Sequence, residues 1–321
     1  MGKASVSLYP LLDKIANNSV YNRKFLKKNA LPDWLNPNDV DEDLLFEAKI
    51  SIAKFLGLNF KALEKDNPFE DSGINQSFSL KTRNDTDIEK YKKNFHLINR
   101  IIQVVLRNIA VNDYKPLPKP MVLRNEILKN NDYVSLQNIL ELSWEYGIPV
   151  IPLIKRPLAF KKFDGLKTET NERPIIITAT EKKQASSLCF IIAHELGHVF
   201  YNHDGIFEDF SKYNSKSQEE IEANNFALTL LAGNPNFDAS KYISLEINEV
   251  KKYSKKYKID PEFLVFNYAF NTDQWKNANA FIKAKRIGNE TGMELVAETL
   301  KEHIDKYNLT EHGKKFIDLV T

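Results

Sequence analysis

The pentad His194-Glu195-Leu196-Gly197-His198, directly behind the apolar residues Leu188, Phe190, Ile191 and Ile192, constrains this 321-residue chain more than any other feature. On an α-helix, residues four apart lie about 40° apart in projection, so both imidazoles can turn toward one point. Glu195 stands about 100° from His194, too far round to be an obvious ligand but placed to take a proton from a water in the site. H-E-x-x-H is the spacing at which two helical histidines hold a zinc ion and the glutamate acts as general base. The other reading, two satisfied surface histidines, leaves the apolar flank serving only to bury the helix.

Catalytic zinc takes three protein ligands and keeps a fourth tetrahedral position open, so a third donor must come from elsewhere. Cys189 is the only cysteine, which excludes a cysteine-rich site and an internal disulfide and suits a reducing, cytoplasmic setting. The expected source is the following helix, Glu219-Glu220-Ile221-Glu222-Ala223-Asn224-Asn225-Phe226-Ala227, whose alanines permit close approach. Glu220 and Asn224 share a face, so Glu220 is read as the ligand and Asn224 as a residue that hydrogen-bonds a ligand from behind. Glu222 and Glu219 are the alternatives, and an acidic helix start favoured by the macrodipole accounts for one or two of the three carboxylates. His203, five residues past His198, is read as a cation at the helix C-terminus; a fourth donor or a transition-state hydrogen-bond donor are the other readings. Tyr201, Tyr213 and Tyr268 are all candidates to stabilise an oxyanion, and 13 tyrosines leave that choice open. His96, His303 and His312 have no partner spacing and read as surface residues.

Around this centre the patterning is α+β and mostly helical, with a small β-sheet. Three segments are expected: a helical N-terminal region over 1–120, a catalytic domain over 121–235, and a helical C-terminal region over 236–321. Leu44, Leu45, Ala48, Ile52, Phe55 and Leu56 follow a helical period that Gly57 closes, and Lys65 to Asp87 reads as a loop. Phe95 to Ile109 forms a second helix, which the proline-rich stretch Tyr114 to Pro120 stops. Leu136 to Tyr146 predicts a helix ended by Gly147, and Ile148 to Leu153 a strand. Phe163-Asp164-Gly165-Leu166 reads as a turn. Pro174 to Thr178 is a β-branched strand, and Ile175, Ile176 and Ile177 are expected to form an edge along which an extended substrate lies. A helix should open at Thr180 to Lys183 and run to about Asn202, with Asp204-Gly205 ending it, and another should cover 217–232.

Forty-five basic against 43 acidic residues give a formal charge of +2, which supplies no general electrostatic reason to bind nucleic acid. The sequence carries no signal-peptide core and no run long enough for a membrane span.

From Trp144 to Pro235 the chain resembles the ImmA/IrrE family of metallopeptidases. The likeness rests on Tyr146 to Val150, Asp164-Gly165, Pro174 to Ile177, Phe190 to Val199, and the helix Glu220-x-Glu222-Ala223-Asn224-x-Phe226-Ala227-x-x-Leu230-Leu231. The resemblance implies a zincin-like catalytic domain, a zinc ion, and regulated proteolysis of a partner such as a repressor or antitoxin. Two departures stand out. Ile52 to Leu58 offers at most half of the helix-turn-helix that many relatives carry, and a Leu-Leu-x-Pro pattern is stretched to Leu230-Leu231-Ala232-Gly233-Asn234-Pro235. The expected function is therefore a zinc endopeptidase with Glu195 as base. A metal-stabilised regulatory protein that acts by binding a partner is the alternative, and a zinc hydrolase of other carbonyls a third.

Overall fold

The computed structural model describes residues 6–70, 85–203, 207–208, 217–288, 291–305 and 309–321. Tyr213, the helix stop at Asp204-Gly205 and most of the loop expected over 65–87 lie outside the described residues. In chain order the helices before the sheet are α1 (Tyr9–Asn17), α2 (Arg23–Ala30), α3 (Glu42–Leu56), α4 (Asp85–Arg107), α5 (Pro120–Ile127) and α6 (Leu136–Glu145). Strands β1 (Val150–Pro152), β2 (Phe163–Thr170) and β3 (Arg173–Ala179) follow, then α7 (Ala185–Phe200), β4 (Phe207–Glu208) and α8 (Gln218–Ala232). Helices α9 (Ile247–Tyr257), α10 (Pro261–Thr272), α11 (Trp275–Lys285), α12 (Gly292–His303) and α13 (Glu311–Val320) complete the chain. The fold is thus α+β and mostly helical, and no described helix is long and apolar enough to cross a membrane.

Contacts divide the chain into two compact units that do not coincide with the expected segments 1–120, 121–235 and 236–321. The first comprises 1–110, 153–161 and 303–321, and the second 111–152 and 162–302. In the first unit, Asp41 caps α3 by accepting from the Leu44 amide, and Gly57, at φ 70°, ends it in the left-handed conformation. The Phe55 ring stacks on Phe316 at 4.7 Å between centroids, and His312 meets the Phe55 edge at 5.8 Å. His96 lies 4.0 Å from the Phe69 ring, and burial pushes its imidazole down to about 4. Burial, and then nearby Lys315, Arg100 and Lys54, lower His312 as well. Neither histidine is the fully exposed surface residue the sequence suggests: each is half-buried, with its imidazole against an aromatic ring.

In the second unit the strand order is β1-β3-β2-β4. β3 pairs parallel with β1 through Val150↔Ile176 and antiparallel with β2 through Lys167↔Ile176, so Ile175, Ile176 and Ile177 belong to an inner strand. This corrects the expected substrate edge. All three isoleucines are buried, and an unbroken β-branched run suits a strand covered on both faces and paired on both sides. Phe163 to Leu166 is the start of β2 rather than a turn. The register shifts between Phe163 and Gly165, so Asp164 is the extra residue of a bulge. The hairpin instead turns at Asn171 and Glu172, both with positive φ (50° and 60°).

α7 also begins later than expected, at Ala185. Thr180 donates through Oγ1 to Asp164 Oδ1, and Lys182 reaches Asp164 Oδ2 at 2.7 Å. The bulge thereby engages the side chains that would have opened the helix. Behind α7 a single apolar core gathers Ile139, Leu140, Ile192, Leu196, Phe226 and Leu264, among others, from α6, α7, α8 and α10.

Candidate metal centre

The central helix α7 is buried along most of its length because Leu188, Ile192, Ala193, Leu196 and Val199 face the core. No side chain of its own N-cap residue, Gln184, supplies a hydrogen bond; Glu262 of α10 instead accepts from the Ser186 amide at 3.2 Å. α8 is capped by Ser217, which accepts from the Glu220 amide, and closed by Gly233 at φ 78°. The two helices approach closely at one point. A Cβ built on Gly197 would stand 2.8 Å from Ala223 Cα and 2.9 Å from its carbonyl oxygen, so glycine and alanine together set the spacing.

That spacing brings three donors together. His194 Nε2 lies 3.0 Å from His198 Nε2, 3.6 Å from Glu220 Oε2, and His198 Nε2 lies 3.7 Å from Glu220 Oε1. All three residues are buried, with their donor atoms within 4.8 Å of one another. Ligands about 2.0–2.1 Å from a tetrahedral centre stand about 3.3–3.4 Å apart, so the observed separations bracket what one zinc-sized ion requires. Two neutral imidazoles and a carboxylate are also the donor chemistry of a catalytic zinc site. Among the described residues, Glu219 and Glu222 lie outside this group.

Each imidazole is aimed by its other nitrogen. His194 Nδ1 is 3.0 Å from Asn224 Oδ1, and Asn224 Nδ2 donates to the Glu220 carbonyl at 2.7 Å, which fixes the amide orientation. Nδ1 must then carry the proton, which leaves the Nε2 lone pair for a metal. His198 Nδ1 is 2.9 Å from His203 Nδ1, and His203 Nε2 is 3.0 Å from Glu222 Oε2. A proton on His203 Nε2 directed at Glu222, and one on His198 Nδ1 directed at His203, leave His198 Nε2 free in the same way.

His203, read from its position as a cation at the helix C-terminus, is buried and links His198 to Glu222. Lys167 of β2 donates to its carbonyl at 2.8 Å, and Tyr201 lies parallel to its ring, 5.5 Å away. Hydrogen bonds from Gln218 and then His203 hold the Glu222 carboxyl below the usual range. Tyr268 packs against the core of the unit.

Glu195 is fully buried beside β2. A Cβ on Gly165 would fall 2.1 Å from Glu195 Oε1, so the carboxylate occupies the space that the glycine leaves. Sequence reasoning missed this contact. Asp164-Gly165 is a strong turn signal, and only the bulge, set by pairing with β3, shows that the glycine instead makes room for a side chain.

A comparison with curated proteins finds no match. The segment that carries all three donors and Glu195, residues 145–267, matches the family model of Peptidase_M78, the IrrE N-terminal-like domain.

Proposed function

We propose that this protein is a zinc-dependent endopeptidase in which His194, His198 and Glu220 hold the metal and Glu195 is the general base. The observation that carries the reading is the convergence of three buried donors whose remaining hydrogen bonds already point their lone pairs inward. A zinc ion held there would supply Lewis acidity toward a carbonyl and make a water acidic near neutral pH. Glu195, on the same helix as His194 and His198, would accept a proton from a water in the site and pass it to the leaving amine. Asn224, His203 and Glu222 keep both imidazoles in the tautomer that binds. The core behind α7 limits the movement of the three donors during the reaction. The substrate in this reading is a regulatory partner protein, of the repressor or antitoxin kind that the resemblance implies, met in a reducing cytoplasm that suits the buried thiol of Cys189.

An unbiased test is digestion of a degenerate peptide library by the full-length zinc-loaded protein, read by mass spectrometry, with Glu195→Gln as control. The variant keeps the side-chain size and one acceptor oxygen but cannot take a proton, so hydrolysis should fall by about 10² to 10⁴ while zinc content and folding survive. Equal activity of parent and variant would remove Glu195 from the reaction. Equal effects of the two in cells would favour a protein that acts by binding its partner.

A further inference from the structure

The metal-facing stripes of α7 and α8 do not stop at the donors. On α7 the stripe continues from His198 and His194 to Ile191, Phe190 and Ser187, and on α8 from Glu220 through Asn224 to Leu228, at helical spacings of three and four. Beyond Asn224 the two stripes open into a cavity of about 220 Å³, which α10 closes with Phe263 and Phe266. Trp275 also lines it, is 41% exposed, and so reaches its mouth. Asn224 belongs to both places: it lines the cavity and holds His194. Ile191 lies about 4.5 Å and Ser187 about 10 Å along the helix axis from His194, the range over which a residue beside a scissile bond projects its side chain.

Resting on the proposed peptidase reading, we infer that this cavity is a specificity subsite for one large apolar side chain, aromatic or branched aliphatic, next to the peptide bond that is cut. Most of the wall is apolar, and largely aromatic, with Lys182, Ser186, Ser187, Asn224, Asn267 and Asn271 as its polar members. The volume is below the roughly 300–1,000 Å³ of typical small-molecule sites, which fits a single side chain better than a free ligand. The nearby amides are already engaged: Asn267 Oδ1 accepts from the Ala239 amide, and Asn271 Nδ2 donates to the Asn267 carbonyl. Ser186 Oγ, buried without a partner among the described residues, can still take one hydrogen bond, and the rest of what an occupant meets is mainly apolar wall. The occupant is thus selected by apolar area, and full burial of a Leu or Phe side chain corresponds to a preference on the order of 10- to 100-fold over Ala.

The test uses peptidyl hydroxamates that differ only in the side chain beside the zinc-binding group: hydrogen, methyl, isobutyl or benzyl. Each is titrated calorimetrically into the full-length zinc-loaded protein. The isobutyl and benzyl compounds should bind about 10- to 100-fold more tightly than the methyl compound. Leu228→Trp, which fills the cavity away from the donors, should reduce that preference below about threefold and leave the hydrogen compound's affinity unchanged. Ser187→Phe fills it from the other helix and serves if Leu228→Trp fails to fold, which thermal denaturation reports. Equal affinities across the series, or a preference that survives either filled variant, overturn the subsite while leaving the metal site standing. Failure of every hydroxamate to bind overturns both.

Discussion

Gly197→Ala tests whether the crossing of α7 and α8 builds the site. In an isolated helix this change stabilises by about 1 kcal/mol through backbone entropy. Here the new methyl would lie 2.8 Å from Ala223 Cα and 2.9 Å from its carbonyl oxygen, roughly 0.6 Å inside ordinary contact on the first count, and neither atom can rotate away. The helices must part. Overpacking of this kind costs about 1–3 kcal/mol, so the net loss should be up to about 2 kcal/mol, visible as a lowered denaturation midpoint. The larger effect falls on the metal, because Glu220 sits on the helix that moves and metal–ligand distances tolerate only about ±0.2 Å. Zinc affinity should fall by about 10- to 100-fold in competition with a chelator. A variant with the parent's zinc affinity would show that the close crossing does not set the ligand geometry.

Gly165→Ala should act differently, since its methyl meets the flexible Glu195 side chain, with Cδ at 2.9 Å and Cγ at 3.0 Å behind the carboxylate oxygen, rather than backbone. Zinc content and denaturation midpoint should stay near those of the parent while hydrolysis falls by about 10²-fold, the cost of misplacing a catalytic group by about 1 Å; unchanged hydrolysis would separate Gly165 from the base. Asn224→Ala and Glu222→Ala should each weaken zinc by about 10- to 100-fold through the imidazole each supports, and chelator competition would expose the error if neither does. His96 takes its proton near pH 6.5 when unfolded but only at about 4 when folded. Its neutral burial therefore costs nothing above pH 6.5 and removes up to about 3 kcal/mol of stability as pH falls from 6.5 to 4. Urea denaturation of zinc-free parent and His96→Phe at pH 7 and 4.5 should show a smaller pH effect in the variant, and identical pH effects would refute this.

What was legible in the sequence was what local spacing encodes. The two histidines and Glu195 follow from helical geometry, and Gly57 and Gly233 mark helix ends because only a left-handed residue closes them so. Glu220 could be singled out because Asn224 lies one turn on, and the structure places that amide against His194. What could not be read depends on pairing between distant residues. Pro174 to Thr178 declares a strand but not its neighbours, so Ile175 to Ile177 passed for an edge when β1 and β2 flank them. Thr180 and Lys182 look like a helix start until Asp164, 16 and 18 residues away, engages both. His203 resembles a helix-end cation because nothing local reports that Glu222, 19 residues on, meets its ring.

The most direct test of the central claim is the zinc content of protein purified without added metal, measured for the parent, Glu220→Ala and Glu219→Ala. The geometry predicts one zinc per chain in the parent and in Glu219→Ala, and loss of most of it in Glu220→Ala. Less than about 0.3 zinc in the parent, with no uptake on titration, or full zinc in Glu220→Ala, would contradict the assignment of His194, His198 and Glu220 as the metal-holding set.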